Sequence, residues 1–149
     1  MFPYHKQETK YTCGAAVMRM ALEFFGIVKS EKQVVRFLGT NKVRGTWLKD
    51  FPVVAERFGL NYFVSRNSSL SDLRKFLKDG FVVIVDFYVP KDEVGHFSVV
   101  KKIDSKYIYF WDPWFGPEHK YSLSYFKRIW KCDPKYEGYK SWFIALKKS

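Results

Sequence analysis

Cys13 is a thiol followed by Gly14 and a strongly helix-forming run, Ala15-Ala16-Val17-Met18-Arg19-Met20-Ala21-Leu22. A thiol at a helix N-terminus meets unpaired backbone N–H groups and the positive end of the helix dipole. Both favour the thiolate, which is the nucleophile. Gln7 stands six positions upstream, in the polar and extended segment His5-Lys6-Gln7-Glu8-Thr9-Lys10-Tyr11-Thr12. Its side chain can offer an N–H to an oxyanion, and the backbone N–H of Cys13 can offer a second. The competing reading is a buried cysteine that only opens a core helix.

A cysteine nucleophile needs a base, and the base needs an orienting partner. The histidines are His5, His96 and His119. His96 follows Gly95 and starts the apolar run Phe97-Ser98-Val99-Val100, so a strand holds it. The next strand ends Tyr109-Phe110-Trp111-Asp112-Pro113, and Asp104-Ser105 reads as the tight turn between the two. About a turn centre of 104.5, His96 lies 8.5 positions before and Asp112 7.5 after. The two are therefore expected side by side, with the carboxylate accepting from the imidazole. A structural strand histidine and an Asp-Pro turn opener are the plainer alternatives. His5 and His119 are alternative bases that no regular element is expected to hold. Cys132 lies in a Lys131-Cys132-Asp133-Pro134 turn and reads as incidental.

The elements that must position these residues follow from periodicity and caps. Cys13 to Phe25 reads as a helix with an Ala16, Met20, Phe24 stripe, stopped by Gly26. Ser30 and Gln33 form a capping box before a helix that ends at Gly39. Thr46 reads as the cap of a third helix through Phe58, kinked or split by Pro52. Leu60 to Ser65 is a strand, and Ser69 or Ser71 opens a helix through Lys78. Strands follow at Phe81 to Val89, His96 to Ile103, Lys106 to Trp111 and Lys140 to Lys147, with a helix from Ser122 to Trp130 among them. That layout predicts an α+β domain with its helices on one side of an antiparallel sheet. The aromatics Trp111, Trp114, Phe115, Tyr121, Tyr125 and Trp130 read mainly as core and turn.

The 149 residues suit one domain, 1–149, and 47% hydrophobic residues supply a core that needs no disulfide or metal staple. No CxxC or HxxxH spacing exists, and no metal or cofactor is expected. With only Cys13 and Cys132, both thiols read as reduced and the compartment as cytoplasmic. A Cys13–Cys132 disulfide would remove the nucleophile. The longest apolar run, Phe81 to Val85, is far short of a membrane span, and no signal-peptide pattern opens the chain. The net charge of +11 favours acidic partners. It comes without an arginine-rich stretch, an RNP-like motif or zinc-finger spacing, so no specific nucleic-acid binding is expected.

Together the motifs resemble a known family. Gln7-x5-Cys13-Gly14-Ala15-Ala16, Gly95-His96-Phe97-x-Val99-Val100, Asp112-Pro113-x-x-Gly116 and Ser122-x3-Phe126-x3-Trp130 look like the bacteriocin-processing cysteine peptidases of the papain-like superfamily, in register over roughly residues 7–130. The resemblance implies a papain-like fold, with N-terminal helices packed against a C-terminal antiparallel sheet. It implies Cys13 as nucleophile, His96 as general base and then acid, Asp112 as the group that orients His96, and Gln7 as oxyanion-hole donor. The implied partner is a peptide or protein substrate. Thr12 stands where many members carry Asp. Many members are N-terminal domains of export transporters that cut leader peptides after a Gly-Gly pair, whereas this chain reads as a stand-alone domain. Another thiol acyl-transfer reaction, amide hydrolysis or transpeptidation, is the alternative within enzymes. A catalytically idle peptide-binding module is the alternative outside them, and retention of all four residues argues against it.

Overall fold

The computed structural model describes residues 1–149. Helix α1 (Cys13–Phe24) begins on Cys13 itself, and Gly14 to Met18, Met20, Ala21 and Leu22 are buried. Gly14 is required by close approach. A Cβ there would stand 2.6 Å from Thr46 Oγ1 and 3.3 Å from the Phe97 ring. Helix α2 (Glu31–Leu38) has the expected capping box between Ser30 and Gln33, and ends on left-handed Gly39. Helix α3 (Asp50–Arg57) starts later than its sequence suggests. Thr46 does not cap it; its hydroxyl instead pairs with Thr40 Oγ1 at 2.6 Å, under α1. Pro52 consequently falls in the first turn, where its missing N–H removes no helical bond, and it neither kinks nor splits the helix.

The remaining elements are β1 (Leu60–Ser65), α4 (Leu70–Lys78), β2 (Val82–Val89), β3 (Val94–Ile103), β4 (Tyr107–Asp112), β5 (Gly116–Ser122), α5 (Leu123–Ile129) and β6 (Phe143–Lys148). Ser69, rather than Ser71, caps α4. The strands form one antiparallel sheet in the order β1-β6-β2-β3-β4-β5. Strand β5 has no counterpart in the expected layout. Its sequence, Gly-Pro-Glu-His-Lys-Tyr-Ser, carries no apolar alternation, and pairing with β4 makes it a strand.

Both faces of the sheet are covered. Val82, Ile84, Phe97, Val99, Ile144 and Leu146 pack with α1, α2 and α3 on one face. Val83, Val85, Phe87, Val100, Ile108, Phe110 and Phe143 pack with Leu73 of α4 and Phe126 of α5 on the other. The helices thus divide three and two, rather than sharing one side. Strand β2 is buried on both faces, which is why it reads as an unbroken apolar run. No helix is long and apolar enough to cross a membrane.

The β3–β4 hairpin decides the site. Asp104 Oδ1 accepts the N–H groups of Lys106 and Tyr107, and the turn centres between Ser105 and Lys106, one residue later than the sequence suggested. Lys101 is then an extra residue in the ladder: Ile103 pairs with Ile108 and Lys102 with Tyr109, but Val100 pairs with Phe110 and Val99 with Trp111. Ser98 therefore comes opposite Asp112. Without the bulge, Val99 would take that place, and His96 and Ser98 would point to the face opposite Asp112.

Candidate active site

Asp112 is fully buried and saturated with donors. His96 Nε2 meets its two carboxylate oxygens at 2.9 and 3.0 Å. Ser98 Oγ donates to Oδ2 at 2.7 Å. The backbone N–H groups of Trp114 and Phe115 donate to Oδ1 at 2.9 and 2.7 Å. Burial by itself would raise the Asp112 pKa. The hydrogen bond and charge of His96, with the Phe115 N–H and Ser98 hydroxyl, outweigh it and hold the carboxyl below its ordinary value.

His96 is nearly as buried, and burial by itself would lower its pKa. Its bond to Asp112 and a second interaction with the Cys13 side chain reverse the sign, and the imidazole is held well above its ordinary range. With Nε2 committed to Asp112, Nδ1 is the ring nitrogen left for the thiol. Cys13 is half-buried at the first position of α1. The arrangement is a thiol, an imidazole and a buried carboxylate in series. It can hold a thiolate–imidazolium pair and pass one proton between sulfur and a leaving group.

Gln7 is brought to the same place by Asp112's neighbour, since its backbone N–H donates to the Pro113 carbonyl at 2.9 Å. One N–H of its side-chain amide is fixed by the Thr9 carbonyl at 2.7 Å. Its amide oxygen is buried without a partner. Tyr4 closes this end of the site by donating its hydroxyl to the Asp112 backbone carbonyl at 2.6 Å. All four residues singled out from the sequence, Gln7, Cys13, His96 and Asp112, thus meet at one end of the sheet.

Residues 1–137 match the profile of the Peptidase_C39 like family. The chain belongs to this family. A search of the curated proteins found no match. Among solved structures, the peptidase domain of Streptococcus ComA, a bifunctional ABC transporter of a quorum-sensing pathway, superposes with a TM-score of 0.77 at 18% identity, covering 100% of both chains. A double-glycine-motif protease from an AMS/PCAT transporter, solved with its leader peptide, gives 0.75 at 24% identity over 99% of this chain and 91% of that one. A C39-like peptidase from Bacillus anthracis gives 0.74 at 15% identity over 99% and 95%. The α+β, papain-like fold that the motifs implied is the observed one.

In this Peptidase_C39 like chain the other histidines stand apart from the thiol. His5 pairs with Glu23 at 2.9 Å on α1. His119, which lies in β5 rather than in a loop, stacks on Phe115 at 4.6 Å between centroids. Phe115 in turn packs edge-on against His96 at 5.6 Å. Burial lowers the His119 pKa. Ser98 and Tyr4 touch Asp112 and were missed from the sequence. Ser98 had a signal, because it is two residues from His96 and shares its face; Tyr4 had none.

Cys132 is not part of the site. It is buried beside Asp86, and burial together with that carboxyl pushes its thiol pKa up. Burial likewise pushes Asp86 up to about 8. Both cysteines are free thiols. Iodoacetamide at neutral pH is expected to alkylate Cys13 at least about a hundredfold faster than Cys132, given the thiolate's share of thiol reactivity. Mass spectrometry of the two peptides over time measures the ratio, and equal slow labelling would remove the activated-thiol assignment.

Proposed function

We propose that this chain is a cysteine peptidase in which Cys13, His96 and Asp112 form the catalytic triad and Gln7 supplies an oxyanion donor. The observation that carries the reading is the buried Asp112 carboxylate on His96 Nε2, supported by the interaction of the same imidazole with a thiol at a helix N-terminus. Cys13 Sγ attacks the peptide carbonyl carbon. The Gln7 amide and the Cys13 N–H receive the developing oxyanion. His96 gives its proton to the leaving amine, and a thioester remains on Cys13. Water then attacks the thioester as His96 takes a proton from it, and the acid product leaves with the thiolate restored. Asp112 keeps the imidazole in its orientation and balances its charge throughout.

The substrate we assign is a peptide cut after a leader segment, with a double glycine before the scissile bond. It is supported by family membership and by the structural neighbour described as a double-glycine-motif protease bound to a leader peptide. Residues 1–149 act as one peptidase domain, in the cytoplasm, where the two free thiols stay reduced. The test is a peptide library containing double-glycine and control sequences, incubated with the parent and with Cys13→Ala and read by mass spectrometry. Cleavage after Gly-Gly by the parent alone is the expected result. Identical fragment patterns from the two proteins would leave a peptide-binding module instead.

A further inference from the structure

Gln7 sits on a strap, residues 7–12, that forms neither helix nor strand. Its ends are fixed. Gln7 N–H is on the Pro113 carbonyl, and Thr12 leads directly into Cys13 and α1. Bonds within the strap are local: Thr12 Oγ1 accepts from Thr9 N–H at 3.1 Å and lies 2.9 Å from Thr9 Oγ1. A buried carboxylate from outside holds its backbone just after Gln7. Glu31, the first residue of α2, is only 2% exposed, and both of its carboxylate oxygens lie 3.1 Å from the Glu8 N–H. The Thr12 hydroxyl donates instead to the Thr9 carbonyl at 3.2 Å. Glu8 itself turns outward, its side chain 3.6 Å from Arg19 of α1.

A buried carboxylate costs free energy unless it is hydrogen-bonded, and the strap is what satisfies this one. The N–H that Glu31 holds belongs to the residue next to Gln7, whose amide would face an oxyanion. We infer that Glu31 is a positioning residue, which fixes the Gln7 amide for an oxyanion by clamping the N–H of the next residue, Glu8. The inference rests on the peptidase reading above and adds a residue outside its triad. An acceptor-only group is needed. A glutamine would keep the volume but turn an NH2 toward that N–H, which both carboxylate oxygens now face.

The test uses two reagents that differ in one respect. p-Nitrophenyl acetate acylates Cys13 through a tetrahedral oxyanion: Sγ bonds the acetyl carbon and p-nitrophenolate leaves. Iodoacetamide alkylates the same sulfur by displacing iodide at a saturated carbon, with no oxyanion. Glu31→Gln and Glu31→Ala are expected to slow acylation about tenfold or more, within the roughly hundredfold that a 1 Å misplacement of a catalytic group can cost, while alkylation changes less than about twofold. Gln7→Ala is expected to slow acylation about a hundredfold. Adding Glu31→Gln to it should change little more, because both act through one group. Equal loss of both reactions, parental acylation in both Glu31 variants, or full additivity with Gln7→Ala would overturn the inference. Parental acylation by Gln7→Ala, or both reactions surviving in Cys13→Ala, would overturn it from beneath, by removing the oxyanion assignment or the nucleophile itself.

Discussion

Replacing His96 with alanine is expected to lower kcat/KM for peptide cleavage by about 10^4-fold or more, the scale seen when one member of a nucleophile–base unit is removed. The cause is double. Without the imidazole nothing balances a thiolate at Cys13, and nothing protonates the amine that must leave. A thiolate can still attack, but the tetrahedral adduct then expels sulfur, the better leaving group. Combining His96→Ala with Cys13→Ala should cost little beyond the larger single loss, because the two act as one unit. Steady-state kinetics on the best library peptide, with the double variant beside the singles, measures this. A His96→Ala enzyme within tenfold of the parent would move the base to another group, and His119, behind Phe115, is the nearest histidine to examine.

The second large effect belongs to Asp112. Asp112→Asn retains the shape but removes the charge, and kcat/KM is expected to fall by about 10^3 to 10^4-fold. Asp112→Ala should also weaken the fold. It strips the acceptor from His96, Ser98 and the Trp114 and Phe115 N–H groups inside a fully buried site. Breaking such a pair costs about 3–5 kcal/mol, or roughly 10 °C in Tm for a chain of this size. The loss depends on pH with a definite sign. Asp112 has a lowered folded pKa, so its stabilisation is complete above its unfolded value and disappears as pH falls through the folded one. His96 has a raised folded pKa, so its share is complete below its unfolded value and disappears as pH rises through the folded one. The Tm gap between parent and Asp112→Ala should therefore be widest between about pH 4 and 6.5. Thermal melts across pH 3 to 10 read it directly, and a gap independent of pH would mean that the pair is not charged in the folded protein.

Much of the site was legible because local chemistry marks it. Cys13-Gly14 before an alanine-rich run announces a helix N-terminus. Gly14 also proved necessary, since a side chain there would strike Thr46. His96 and Asp112 flank a hairpin that the Asp104-Ser105 pair signals, although the turn centres one residue later. The misread third helix shows where such signals fail. Thr46 has the chemistry of a cap, but tertiary packing uses its hydroxyl to meet Thr40 beneath α1. Strand β5 was invisible because its side chains show no alternation and only the edge of β4 makes it a strand.

By itself, the amino-acid sequence determined which groups could do chemistry and that helices would precede most of an antiparallel sheet. These properties depend on residue type and on spacings within one element. The tertiary structure decided how those groups face one another. The bulge at Lys101 adds one residue to β3 and so puts Asp112 on the face of His96. The Pro113 carbonyl and the Glu31 carboxylate fix a strap that has no regular structure of its own. Both are matters of register and of contacts between residues far apart in the chain. A period-two pattern carries no record of a single inserted residue, and a buried glutamate at a helix start looks, in sequence, like any residue placed to suit the helix dipole.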